Sequence, residues 1–329
     1  MKSIVFDQIL QVKDIPKPVF DGGESVVRVI QAGICNTDLE ITKGYYGFKG
    51  VLGHEFVGVV ESSQTPSLVG TRVVGEINVS CGNCNFCLGG LTRHCSCRTV
   101  LGIFGRDGAF REFLTLPEKN LHRIPESISD DAAVFVEPIA AACEITDQVS
   151  FKSADKVAIL GDGKLGLLVT MVLAQARKIN GLSEKVTLVG KHPKKMNLVQ
   201  DLGVHLVERD SATALGKTFD LIIEATGSPE GWTLALSLLK PRGTLVLKST
   251  FNNQMSFNTA PLVVDEITVI GSRCGRFEAA IELLEEKNLD PTPLLQHTLG
   301  LDEALKAFEL AGHPEVLKVT LQIDACGKM

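Results

Sequence analysis

The chain lacks the features that would place it in a membrane or on a polyanion. Its longest apolar run, Leu165 to Ala174, is about half of the roughly 20 residues a bilayer span needs. Its first residues, MKSIVFDQIL, do not run from a basic start through a long apolar stretch to small residues, as a signal peptide does. A cytoplasmic location is therefore expected. There is no excess of positive charge: 33 Lys and Arg stand against 39 Asp and Glu, a net charge of −6. Neither nucleic acid nor an anionic membrane is expected as a partner, because neither attracts an acidic chain. Repeats, low-complexity tracts and long flexible linkers are also missing. What remains is an ordinary globular composition, 44% apolar and 22% charged, over 329 residues, a length that suggests two domains with substantial cores.

Cysteine is not scarce. There are nine, an odd number, and five crowd between Cys81 and Cys97. A chain this long does not need disulfide staples, and in a reducing compartment clustered cysteines point to metal.

The elements change character along the chain. Up to about Val136 the apolar stretches are short and β-rich, such as VVRVI at 26–30, FVGVV at 56–60 and RVVGEI at 72–77, separated by Gly, Pro, Ser and Asn. From about Lys156 strands and helices alternate: KVAIL, a helix over Lys164–Lys178, KVTLVG, a helix over Pro193–Leu202, FDLIIEATG, a helix over Glu230–Leu239, GTLVLKS and EITVIGS. That alternation predicts a parallel, doubly wound α/β sheet. Two amphipathic helices, Glu278–Glu286 and Asp302–Ala311, and a last strand, Val316–Ile323, follow.

The turn after the first α/β strand reads GDGKLG, with Gly161, Gly163 and Gly166 spaced G-x-G-x-x-G around Lys164 and Leu165. The first glycine permits the tight turn, the second lets backbone N–H groups approach a pyrophosphate, and the third lets helix and strand pack closely. Its place between a strand and a helix is the context that marks a dinucleotide site. The end of the next strand selects the dinucleotide. An Asp or Glu there holds the ribose 2′-hydroxyl of NAD, whereas a 2′-phosphate calls for cations. Gly190, Lys191, His192 and Lys195 occupy that turn with no acid among them, which favours NADP, with NAD as the alternative.

Cys81, Cys84, Cys87 and Cys95 follow the spacing C-x2-C-x2-C-x7-C, with Cys97 as an alternative to Cys95. Four thiolates on one loop suit a closed tetrahedral zinc site, which leaves no position for substrate and is therefore structural.

Together with Gly53-His54-Glu55, the earlier Cys35, the four-cysteine lobe and GDGKLG, the chain closely resembles the zinc-dependent medium-chain alcohol dehydrogenases, almost end to end. The resemblance implies a mainly β, GroES-like catalytic domain (1–139, completed by 274–329) around a Rossmann domain (140–273). It favours Cys95 over Cys97 in the lobe and places Cys35 and His54 on a second, catalytic zinc with one open position. Where many relatives have a third cysteine ligand, this chain has Glu137-Pro138, as polyol, sugar and threonine dehydrogenases of the superfamily do. Glu137 and Glu55 are both candidates for the remaining ligand or for hydrogen-bonding a water there. Thr37 matches the family's proton relay, and Asp38 the carboxylate that orients the zinc histidine. Glu40 stands where many relatives carry a histidine, which shifts the substrate toward polyhydroxyl compounds. Glu112 matches a position near the zinc of sugar-oxidising relatives. Thr226 and Gly227 match a strand end beside the cofactor, and Lys318 a basic position at the pyrophosphate. Tyr45, Tyr46, Phe48 and Phe104 are candidates for a pocket lining or for core.

A metal at such a site acidifies an alcohol, whose carbon then gives hydride to a nicotinamide ring. The expectation is therefore a two-zinc, NADP-dependent dehydrogenase for a secondary alcohol of polyol, sugar or hydroxy-amino-acid type, working as a homodimer or homotetramer. The alternatives are an NAD-dependent simple alcohol dehydrogenase or aldehyde reductase, or a zinc- and dinucleotide-binding protein without turnover.

Overall fold

The computed structural model describes residues 1–150, 152–250 and 258–324. They divide into two compact units: Met1–Glu137 with a return segment that begins at Ala280, and Pro138–Ala279. The second seam falls beyond the expected 273 because 274–279 are tied into the second unit. Arg276 Nε lies 3.0 Å from an Asp147 carboxylate oxygen, and Gly275 packs so closely on Ala140 that a Cβ would stand 1.8 Å from its carbonyl oxygen.

In the second unit six strands form one parallel sheet in the spatial order His205–Glu208, Thr187–Gly190, Val157–Leu160, Phe219–Glu224, Leu239–Leu247, Thr268–Gly271. Chain order runs outward both ways from Val157–Leu160, so the sheet reverses between that strand and Phe219–Glu224, where doubly wound folds bind their ligands. The strands Val157–Leu160 and Thr187–Gly190 are buried throughout, which is why they read as unbroken apolar runs rather than alternating ones. The sequence reading misses the edge strand His205–Glu208: its four residues are half exposed, and strand propensity is weakest at edges. The expected helix over Pro193–Leu202 is one α-turn, Pro193–Met196, followed by a 3-10 segment, Asn197–Leu202. Its buried residues Met196 and Val199 lie three apart, the period that a 3-10 helix aligns.

In the first unit the main sheet runs Leu121–Arg123, Arg72–Gly75, Glu55–Ser62, Ser25–Gly33, Lys318–Gln322, Leu295–Gly300, with Phe113–Leu116 also paired to Ser25–Gly33. The strand Leu295–Gly300 is not anticipated by the sequence reading. The return strand Lys318–Gln322 is antiparallel to Ser25–Gly33, with Thr320 opposite Gly33, while Glu55 faces Gly33 from the other side. This register seats the return strand directly beside Ser25–Gly33, in a sheet whose other strands, Leu295–Gly300 apart, come from residues 25–123. Among the described residues no helix is long and apolar enough to cross a membrane.

Candidate metal centre and dinucleotide site

Cys35 follows the central strand by two residues and opens the helix Asn36–Thr42. His54 and Glu55 stand where the neighbouring strand begins. One ligand atom from each of Cys35, His54 and Glu55 lies within 4.8 Å of the others, a thiolate, imidazole and carboxylate set that suits zinc. Asp38, fully buried, ties the two stretches together. Its carboxylate accepts from the Cys35 N–H at 2.8 Å and the Gly53 N–H at 3.1 Å. One oxygen also lies 3.4 Å from His54 Nδ1, close enough for charge attraction and long for a hydrogen bond. With Asp38 drawn up to Nδ1, Nε2 is the ring nitrogen left as the candidate ligand atom. Burial opposes a charge on His54, but Asp38 and Cys35 outweigh it and raise its pKa well above the usual value. A positive charge is therefore favoured at this point, which is what a metal cation supplies.

Behind the cluster, Lys318 donates to Glu55 at very short range, and both side chains are 1% exposed. Burial draws the lysine pKa down to about 8. Gly33 makes room for this pair: a Cβ there would stand 2.7 Å from Glu55 Oε2 and from Lys318 Nζ. The sequence reading expected Lys318 at a pyrophosphate, but the structure gives its ammonium to Glu55, inside the first unit. Gly33 was not singled out in the sequence, because its need for a missing side chain exists only once the three strands are paired.

Thr37 belongs to the cluster, its hydroxyl 3.7 Å from the Cys35 sulfur. Glu137, half-buried at the start of the helix Val136–Gln148, is not in the 4.8 Å group. Glu40 pairs with Lys43 at 2.9 Å, and Glu112 accepts from the Lys2 backbone N–H at 2.8 Å. Tyr46 and Phe104 are exposed, and Tyr45 and Phe48 are half-buried, so none of the four aromatics is core.

In the lobe, Cys81, Cys84, Cys87 and Cys95 form a second group within 4.8 Å. Their sulfurs are 3.4 Å apart for 81–95, 3.5 Å for 84–87, 3.7 Å for 84–95 and 4.0 Å for 81–87. Tetrahedral zinc with bonds of about 2.3 Å has sulfur–sulfur edges of about 3.8 Å, so the preformed cage fits. Backbone N–H groups of Cys81 and Cys97 point at the Cys95 sulfur at 3.4 and 3.3 Å. Cys97 itself is exposed and outside the cage. The Cys87 backbone N–H leads in lowering the Cys84 thiol to about 6, while desolvation lifts Cys87 to about 11. A cation is needed for all four to be thiolates together.

The glycine turn sits at the carboxyl end of Val157–Leu160 and opens the 16-residue helix Lys164–Ile179, where Gly163 is the N-cap and no side chain caps the first turn. A Cβ on Gly166 would lie 1.9 Å from the Gly161 carbonyl oxygen, the close packing that the third glycine permits. A Cβ on Gly163 would meet nothing of the chain within 4 Å. Room for a ligand, not internal packing, is thus the physical reason for glycine there, and the uncapped helix N-terminus suits the phosphates of a dinucleotide. Thr226 and Gly227 follow the neighbouring strand, and Thr226 donates its N–H to Glu224 at 2.7 Å.

Between the ends of Thr187–Gly190 and His205–Glu208 lies a cavity of about 990 Å³, lined among others by Gly190, Lys191, Glu208, Arg209, Asp210 and Glu230. Lys195 is buried and does not line it. His192 faces Asp162, an acid inside the glycine turn that the sequence reading passed over. Asp162 Oδ2 accepts from the backbone N–H groups of Lys191 at 2.7 Å and His192 at 2.5 Å, and lies 3.1 Å from the His192 ring. Burial works against the Asp162 charge, yet these donors hold it below the usual carboxylate range. The strand end alone does not reveal it, because Asp162 lies 29 residues before Lys191.

A glycine turn at the reversal point of a parallel sheet belongs to dinucleotide enzymes, and a thiolate–imidazole centre on a β-rich unit narrows the class to zinc-dependent dehydrogenases. Comparison with known proteins agrees. Residues 21–126 match the family described as alcohol dehydrogenase GroES-like domain, and residues 130–323, more than half the chain, match glucose dehydrogenase C-terminus. The chain is 32% identical to an L-threonine 3-dehydrogenase of Streptomyces avermitilis, over 98% of this chain and 99% of the relative. It is 28% identical to a sorbitol dehydrogenase of Halalkalibacterium halodurans, over 94% of each. An Escherichia coli alcohol dehydrogenase structure complexed with NADH superposes with a TM-score of 0.87 at 28% identity, covering 98% of this chain and 99% of that one. The chain belongs to the zinc-dependent medium-chain alcohol dehydrogenase family and is an NAD(P)-dependent dehydrogenase.

Proposed function

We propose that this protein transfers a hydride between NADP(H) and the secondary alcohol or ketone of a polyol, sugar or hydroxy-amino acid. The observation that carries the reading is the Cys35–His54–Glu55 group, backed by Asp38 and flanked by the Thr37 hydroxyl. Relatives named for sorbitol and threonine support the substrate class. Cys35 and His54 hold the catalytic metal, with Glu55 or Glu137 completing the set, and Cys81, Cys84, Cys87 and Cys95 hold a structural zinc. When bound, zinc supplies Lewis acidity to the substrate oxygen and the nicotinamide supplies the hydride acceptor.

The chain's own residues do the rest. Asp38 fixes His54 so that its free nitrogen faces the ligand side, and Lys318 restrains Glu55 from behind. The Thr37 hydroxyl receives the proton leaving the substrate oxygen and passes it outward. Gly163 and the first turn after it receive the pyrophosphate. Lys191, in a strand end that carries no acid, favours the 2′-phosphate of NADP. NAD is the second reading, because Asp162 takes both backbone N–H groups of that turn. The edge strand Thr268–Gly271, three of whose four residues are exposed, supports assembly of a homodimer or homotetramer through sheet pairing.

The test is metal analysis joined to an assay. About two zinc ions per chain and oxidation of secondary alcohols, polyols or aldoses, read from NADPH absorbance, are expected. Cys35→Ser should lose one zinc and all turnover while keeping the fold; turnover retained by this variant would refute the reading.

A further inference from the structure

The 2′-phosphate that separates NADP from NAD has to be met by donors, and the cavity at the ends of Thr187–Gly190 and His205–Glu208 limits which are available. Asp162 already takes the backbone N–H groups of Lys191 and His192 and faces the His192 ring. Lys195 is only 7% exposed. The cations that line the cavity are Lys191, at the end of one strand, and Arg209, at the end of the next. Glu208, Asp210 and Glu230 line it as well. A phosphate here therefore depends on side-chain cations and competes with resident carboxylates.

We propose that Arg209 is the second cation of the 2′-phosphate site, acting with Lys191, and that Glu230 is the carboxylate that the phosphate competes with for them. The proposal rests on the NADP reading above and adds to it the residue that follows the next strand, His205–Glu208. Glu230 stands in the first turn of the helix Pro229–Leu238. Its own backbone N–H and the Ser228 hydroxyl hold its carboxyl below the usual range, and the charges of Arg209 and Lys191 add to this. Glu230 and the two cations line the same cavity. A phosphate monoester carries about −1.5 to −2 charge against −1 for the carboxylate, so it gains more from the pair. Arg also offers the forked, bidentate geometry that phosphate oxygens match.

The experiment is calorimetric binding of 2′,5′-ADP and 5′-AMP, which differ only in the 2′-phosphate, to the zinc-loaded full chain. The wild type should bind 2′,5′-ADP more tightly. Arg209→Ala should weaken 2′,5′-ADP by about tenfold or more, as expected for a charge-assisted hydrogen bond, and leave 5′-AMP within about twofold. Glu230→Gln should strengthen 2′,5′-ADP alone. If the wild type discriminates and Lys191→Ala removes the discrimination while Arg209→Ala does not, the NADP reading stands and Arg209 is excluded. Equal loss of both ligands in Arg209→Ala assigns it to the fold or the adenosine, which also overturns the proposal. If the wild type does not discriminate at all, the NADP reading fails and the proposal falls with it.

Discussion

Replacing Lys318 by Met takes one charge from a pair in which both side chains are 1% exposed. Glu55 then keeps a carboxylate that solvent cannot reach. Breaking a buried pair on one side costs about 3–5 kcal/mol, whereas replacing both members with neutral groups of similar size is often close to neutral. For a unit of this size each kcal/mol lowers the melting temperature by about 2–4 °C, so Lys318→Met should melt roughly 6–20 °C lower. Lys318→Met combined with Glu55→Gln should recover at least half of that loss. Scanning calorimetry on protein stripped of the catalytic zinc resolves this, since the pair lies wholly in one unit and the metal, of which Glu55 is a candidate ligand, would otherwise offset the lost charge. The reasoning is refuted if the single variant melts within about 2 °C of the wild type, or if the double variant melts below the single.

Other outcomes follow from the same geometry. Asp38→Asn should weaken the catalytic zinc by roughly 10–100-fold, so that chelator competition removes one ion per chain and spares the four-cysteine cage; equal retention of both ions would contradict the role given to Asp38. Gly166→Ala puts a Cβ 1.9 Å from the Gly161 carbonyl, and should cost at least about 1–3 kcal/mol and abolish nucleotide binding by fluorescence titration. Cys143 is 5% exposed, and burial lifts its thiol to about 12. Because the thiolate is the reacting form, iodoacetamide at pH 8 should label the exposed Cys97 and spare Cys143, as read by mass spectrometry. With its folded pKa raised, Cys143 contributes stability that is fully present below the ordinary thiol pKa of about 8.5 and is lost as the pH rises toward 12.

Much of the chemistry was legible in short stretches. The spacing of Cys81, Cys84, Cys87 and Cys95 already encodes a cage, because one loop carries all four thiols. GDGKLG encodes a dinucleotide turn, because three glycines and the helix they open are contiguous. Less was legible where a role depends on a partner far along the chain. Lys318 read as a basic residue at the pyrophosphate, and only pairing of Lys318–Gln322 with Ser25–Gly33 buries it against Glu55, 263 residues away. Asp162 carries no signal in the sequence, because only strand pairing brings the backbone amides of Lys191 and His192 to its carboxylate. The strand His205–Glu208, too short and too polar to register in a periodic pattern, ends at the cavity and brings Arg209, the residue after it, to the lining.

The sequence by itself therefore determined the alternation that makes a doubly wound sheet, the four-thiolate lobe and the residue types for a zinc and a dinucleotide, all of which follow from local spacing and period. Tertiary structure decided which of those residues meet. Sheet register set Gly33, Glu55 and Lys318 side by side, and the reversal of the parallel sheet set the glycine turn beside the Thr226 loop. Register and strand order are fixed by burying the apolar faces of the whole sheet at once, a condition that no single segment contains.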